Sequence, residues 1–140
     1  MAARIVIRSA IFADIPAVID QVEALAASVR GPQRVCRLRT GETLARLITG
    51  ADGAVFVSGG GFIAGQMWQT VINTEPVAVE LGWYAADRSG LRLLRTFEAW
   101  ASDHGAVLVK MSANGGAGQR ILERVGYGPA ETQMIKRLQS

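Results

Sequence analysis

The stretch that most constrains the fold is WYAADRSGLRLLRTFEAWA, residues 83–101. It continues the run VAVELGWY, 77–84, whose β-branched and aromatic residues predict a strand. The polar turn Asp87-Arg88-Ser89-Gly90 follows, and a helical pattern begins at once. From Ser89 to Asp103 apolar residues fall at Leu91, Leu94, Phe97, Trp100 and Ala101, one side of a helix that Gly105 ends. A strand passing directly into an amphipathic helix requires a mixed α/β arrangement. It also poses a chemical question. The first turn of a helix carries unpaired N–H donors and the positive end of its dipole, so strand, loop and helix can hold a phosphate or can merely connect.

The rest of the chain agrees with the α/β class. ARIVIRS, 3–9, reads as a strand, and Asp14 can cap a helix over 15–29 that Gly31-Pro32 stops. Thr40 can cap a second helix over 41–49, after the basic connector RVCRLR. AVFVS, 54–58, and FIAGQMWQTVI, 62–72, pair as a hairpin around Gly59-Gly60-Gly61. AVLVKMS, 106–112, predicts a buried strand, and Ile121, Leu122 and Val125 mark a helix around 117–125. ETQMIKRL, 131–138, predicts a last strand. The expected order is β-α-α-β-β-β-α-β-α-β in one domain, residues 1–140, with an antiparallel front half and a β-α-β unit behind it.

Composition removes several function classes. One cysteine, Cys36, forbids an internal disulfide, and with one histidine, His104, ligands for a metal site are scarce. No apolar run approaches the ~20 residues of a membrane span, and the N-terminus lacks a signal-peptide core, which predicts a cytoplasmic protein. The 13 arginines suit a phosphate ligand, and equally a compositional bias of the genome.

Three strings in this order resemble the GCN5-related N-acetyltransferase family. They are IRSAIFADIPAVIDQV, VELGWYAADRSGLRLLRTFEAWASDHGA and QRILERVGYGPAETQMIKRL, together reaching from about residue 4 to 138. Short members from phage-like contexts are the nearest in kind. The resemblance implies an acyl-CoA N-acyltransferase fold, a mixed central sheet with helices on both faces, and acetyl-CoA as cosubstrate. It implies that the cofactor's pyrophosphate sits at Arg88, Ser89, Gly90, Leu91 and Arg92, with Gly90 leaving room for a phosphate. Backbone at Leu81, Gly82, Trp83 and Tyr84 would hold the pantetheine arm, with Asn114 as a further contact. The family loop usually carries two glycines; here Gly90 stands alone, and the segment is shorter.

Acetyl transfer to an amine needs a base, a polarised carbonyl and held reactants, but no covalent enzyme intermediate. Glu80 is the candidate base, a carboxylate in an otherwise apolar strand, weighed against a hydrogen-bonded structural Glu. Alternation would put Val77, Val79, Leu81 and Trp83 on one face and Ala78, Glu80, Gly82 and Tyr84 on the other. The family's frequent acid, a tyrosine, falls on Leu122, which has no proton to donate. Ser112 and Asn114, just past the fifth strand, are the alternatives near the expected thiol, Asn114 equally a helix N-cap or turn residue, and Tyr127 is a further candidate with core packing as its competing role. Trp68, Trp83 and Trp100 are expected in the core or as cleft walls. Arg34, Arg37 and Arg39 would either select an acidic acceptor or form a solvated connector.

The implied function is acetyl-CoA-dependent transfer to an amine of a small molecule, peptide or protein. The alternatives are a weak or inactive CoA-binding module and a toxin-like enzyme acting on aminoacyl-tRNA. Nucleic acid ranks last as a partner, because no aromatic-basic motif asks for it. A homodimer through the late strands is among the arrangements the resemblance implies.

Overall fold

A computed structural model describes residues 4–29 and 33–139. In chain order it holds β1 (Arg8–Ser9), a 3-10 turn (Phe12–Asp14), α1 (Ile15–Ser28), α2 (Arg37–Thr49), β2 (Gly53–Val57), β3 (Gly61–Gln69), β4 (Pro76–Ala85), α3 (Gly90–Asp103), β5 (Val109–Lys110) and α4 (Ala117–Arg124). The strands form one sheet ordered β1-β2-β3-β4-β5, antiparallel except for the parallel β4–β5 pair. The mixed α/β class expected from the sequence is therefore observed.

Alternation along β2 and β3 divides the apolar residues between two cores. Val55, Val57, Phe62 and Ala64 meet Val18 and Ile19 of α1 and Leu44 and Leu47 of α2 on one face. Ile63 and Ala78 meet Leu93, Phe97 and Ala101 of α3 on the other. The buried stripe of α3 is Gly90, Leu93, Leu94, Phe97 and Ala101, while Leu91 is exposed, so the helix is rotated from the stripe expected. Gly65 lets α3 come close: a Cβ there would lie 2.4 Å from the Phe97 ring and 2.6 Å from the Val79 carbonyl.

A register shift between β3 and β4 matters most for function. Ala64 opposes Gly82 and Gly65 opposes Glu80, so Leu81 has no partner. One extra residue reverses the alternation beyond it. Gly82 and Tyr84 turn to the α1–α2 core, and Trp83 and Ala85 to the α3 core that also holds Ala78. The even alternation expected over 77–84 thus fails at Leu81.

Other expectations need correction. The first strand is confined to Arg8–Ser9, because only these residues meet β2. Asp14 precedes α1 but does not cap it: its carboxylate turns back to the Ile11 N–H at 2.8 Å and to Arg8 at 2.7 and 2.8 Å. These bonds, the Arg8 guanidinium first, hold its carboxyl down at about 2. Helix α2 starts earlier than expected, with Thr40 inside its first turn bonded to the Cys36 carbonyl. The stop expected at Gly31-Pro32 lies outside the described residues. Residues 127–139 form no strand, and Met134, Ile135 and Leu138 are exposed. A strand exists only against a partner, and alternation in sequence does not supply one.

Candidate active site

Strands β4 and β5 pair only at Ala78–Val109 and Val79–Lys110, then part. Glu80 stands where they part. Its Oε1 accepts the Ser112 backbone N–H at 2.9 Å, so a side chain takes the position where the next rung of the ladder would be. Beyond Glu80, the edge of β4 over Leu81–Ala85 has no strand partner on its β5 side among the described residues. Five residues at ~3.3 Å each make an open backbone edge about 16 Å long.

Burial pushes the Glu80 carboxyl up to about 7, against the single Ser112 N–H that favours its ionised form. A carboxylate near neutrality is matched to taking a proton at physiological pH.

The far end of this edge is the start of α3. The first intrahelical bond runs from the Leu93 N–H to the Ser89 carbonyl at 2.9 Å. The N–H groups of Gly90, Leu91 and Arg92 therefore have no partner within the helix, and no side chain caps it. Arg88 is exposed at φ 65°, a left-handed conformation unusual for a side-chain-bearing residue. Ser89 is completely buried. Its hydroxyl and N–H both go to Asp87 Oδ1, the latter at 3.2 Å, so neither is open to the pyrophosphate that the resemblance implies at Ser89.

A Cβ at Gly90 would meet Ile121 and Trp83 at 3.7 Å and Ala85 at 3.8 Å, ordinary van der Waals contact, so packing alone does not demand a glycine there. Trp83 Nε1–H donates to the Gly90 carbonyl at 3.0 Å and ties strand end to helix start. The Trp83 and Tyr84 side chains face the two cores, and Gly82 has none, leaving the backbone of this stretch to line the opening. The Arg92 side chain lines a shallow depression of about 540 Å³ with Arg4, Arg95, Thr96 and residues 5–7. That is the flank of α3 facing the N-terminal segment, so only the Arg92 N–H belongs to the opening.

Of the expected catalytic residues, Glu80 and Ser112 are brought together, Ser112 through its N–H rather than its exposed hydroxyl. Tyr127 shares no hydrogen bond with either. Its hydroxyl donates to Glu98 Oε2 at 2.8 Å, eight residues and about 12 Å along α3 from the open helix end. Burial, then that bond, raises the phenol, so it keeps its proton. Leu122 is buried in the core. Asn114 reaches the Ser28 carbonyl at 3.5 Å, at the end of α1 beside the opening. Trp68 is exposed rather than in the core, while Trp83 of β4 and Trp100 of α3 pack, partly buried, against the core that α3 forms with the sheet. Arg37 is held by Glu23 at 2.6 Å and Asp20 at 3.0 Å. Arg34 and Arg39 line a depression of about 580 Å³ with Gln33, Thr40 and Arg137.

Among the described residues, no three His, Cys, Asp or Glu side chains gather as a metal site would need, and no helix is long and apolar enough to cross a membrane. Asp87, marked by the sequence only as part of the polar turn, organises the loop together with Ser58, which the sequence did not single out. An Asp two residues before a Ser is the turn signal that marks the first. The second meets Asp87 only through the fold.

No family model and no curated protein matches the chain. Solved structures do. An aminoglycoside N-acetyltransferase in complex with CoA superposes with TM-score 0.77 at 12% identity, over 100% of this chain and 98% of that one. Glucosamine-6-phosphate N-acetyltransferase from Arabidopsis thaliana gives 0.75 at 15%, over 98% and 100%. A transcriptional regulator from Bacillus halodurans C-125 gives 0.77 at 11%, over 96% and 100%. Open strand edge, parted β4 and β5, and bare helix start all lie on this shared framework: the chain has the GCN5-related N-acetyltransferase fold.

Proposed function

We propose that the protein is an N-acetyltransferase that moves an acetyl group from acetyl-CoA directly to an amine. The observation that carries this is the open edge of β4, with a near-neutral carboxylate at one end and unpaired helix N–H donors at the other. Structures sharing the fold include N-acetyltransferases, one of them in complex with CoA, which supports the same donor here. The pyrophosphate would rest on the N–H groups of Gly90, Leu91 and Arg92, with Arg88 adding charge from its exposed side. The pantetheine arm would run along the backbone of Leu81–Tyr84 and bring the thioester to Glu80.

Glu80, directly or through one water, takes a proton from the ammonium of the acceptor. The amine nitrogen forms a bond to the thioester carbon, and backbone N–H groups beside Leu81 stabilise the oxyanion. The C–S bond then breaks, and the second proton of the attacking nitrogen passes to the departing thiolate, giving amide and CoA thiol. A thiol with a pKa near ~8.5 is a fair leaving group without a protein acid. This suits a site where Leu122 and the engaged Tyr127 supply none.

The acceptor is an amine of a small molecule, peptide or protein. That neither Leu122 nor the engaged Tyr127 can donate a proton favours one second reading, a module that binds CoA but turns over slowly or not at all. The exposed Met134, Ile135 and Leu138 favour a homodimer that buries them, which light scattering would reveal. The deciding experiment is calorimetric titration with acetyl-CoA and with CoA, followed by an amine panel read by thiol release. Saturable binding with release is expected. Folded protein that binds neither ligand would sink the proposal; binding without release by any amine would select the module.

A further inference from the structure

We infer that Asp87 is a positioning residue for the phosphate cradle, acting through Ser58 and Ser89 rather than by touching the ligand. The inference rests on the acetyl-CoA reading above.

The residues between β4 and α3 are pinned to the β2–β3 turn, almost thirty residues earlier, by this one carboxylate. Asp87 Oδ2 accepts the Gly60 N–H at 3.1 Å and lies 2.8 Å from Ser58 Oγ. Oδ1 accepts the Ser89 N–H at 3.2 Å and contacts the Ser89 hydroxyl. The two hydroxyls are 2.8 Å apart, so two hydroxyl protons serve three contacts in a closed triangle. The Ala86 N–H adds a backbone tie to the Gly60 carbonyl at 2.9 Å. Gly60 is part of the device, because a Cβ there would lie 2.8 Å from the Asp87 Cβ.

This arrangement has two consequences. It occupies the Ser89 hydroxyl, which would otherwise be the natural cap for the first N–H groups of α3. It also holds Arg88 in its left-handed conformation, which local preference would not maintain. Left free, Ser89 could turn and cap the helix, closing the donors that a pyrophosphate needs. The clamp therefore keeps Gly90, Leu91 and Arg92 bare and aimed at the slot. Preorganised donors need no reordering when the anion arrives.

A plain charge effect has the opposite sign. Asp87 is an anion close to the phosphate position, so if it acted only by charge, removing it would tighten CoA binding. The test measures dissociation constants for CoA and for pantetheine, which lacks the pyrophosphate, in wild type, Asp87→Ala, Asp87→Asn and Ser58→Ala. Unfolding curves accompany each variant. The expected result is about tenfold weaker CoA binding in Asp87→Ala, with pantetheine changed less than about twofold, so that the ratio collapses. Asp87→Asn, which keeps one acceptor oxygen, should fall between. Ser58→Ala, which removes one contact of the clamp and none of the helix donors and is milder for folding, should weaken CoA about threefold. Unchanged or tighter CoA binding in both Asp87→Ala and Ser58→Ala overturns the clamp. A wild-type protein that binds CoA no better than pantetheine overturns the phosphate cradle itself, and the clamp with it.

Discussion

Glu80 and Asp87 sit at opposite ends of the same open strand edge, yet their surroundings drive them apart. Glu80 is desolvated and has one donor, the Ser112 N–H, so its carboxyl rises to about 7. Asp87 is also pushed up by burial, but bonds from Ser89, Ser58 and Gly60 outweigh that push, and it ends below the usual carboxylate range. The difference teaches what donor count decides. A carboxylate with one donor can exchange a proton near neutral pH, whereas one saturated with donors is a permanent anion and can only hold structure.

The strongest way to break this comparison is Glu80→Gln. With any amine the wild type acetylates, kcat/KM should fall on the order of 10²–10⁴-fold, the usual worth of a placed base. Wild-type kcat/KM should rise with pH through about 7, where the base ionises, and the variant should lose that limb. An unchanged limb would assign the base to another group.

Next in size is Gly65→Ala. Gly65 opposes Glu80 in the ladder, and the added methyl collides with Phe97. Thermal or denaturant unfolding should show a loss on the order of 3 kcal/mol. If the folded fraction keeps its CoA affinity, the two ends of the edge are separable.

A subtler test uses stability against pH. Glu80 titrates at about 7 in the fold, against a model-compound value of 4.5. Between these values the folded chain binds a proton that the unfolded chain does not, so its stability falls as pH rises from 4.5 to 7. Glu80→Gln should flatten that slope and be the more stable protein above pH 7. A slope that survives the substitution would place the buried charge elsewhere.

The smallest effect belongs to Tyr127→Phe. Removing the bond to Glu98 should cost about 1 kcal/mol of stability. The pH profile of transfer should keep its shape. A lost limb would return Tyr127 to the chemistry.

Much of this was legible in the chain. The period of the apolar residues announced α1, α3 and the β2–β3 hairpin, because a buried stripe leaves the same mark wherever it packs. Glu80 stood out because a charge in an apolar strand needs a reason. The rotation of α3 was not legible, since Leu91 and Leu93 are equally apolar and only contact with Ile63 and Ala78 chooses between them. The last strand was misread because Met134, Ile135 and Leu138 look like a strand face but find no partner.

The sequence by itself determined the α/β class, the strand-to-helix turn at DRSG and the lone acidic residue of β4. These depend on local periodicity and on residue chemistry, which neighbours in the chain carry. Tertiary structure alone decided that Leu81 is left out of the ladder, that Ser112 meets Glu80, and that Ser58 and Gly60 bind Asp87. Each of these joins segments far apart in the chain. The physical reason is that hydrogen-bond satisfaction and desolvation depend on which atoms arrive from elsewhere. They turn two similar carboxylates into a proton acceptor and a fixed anchor.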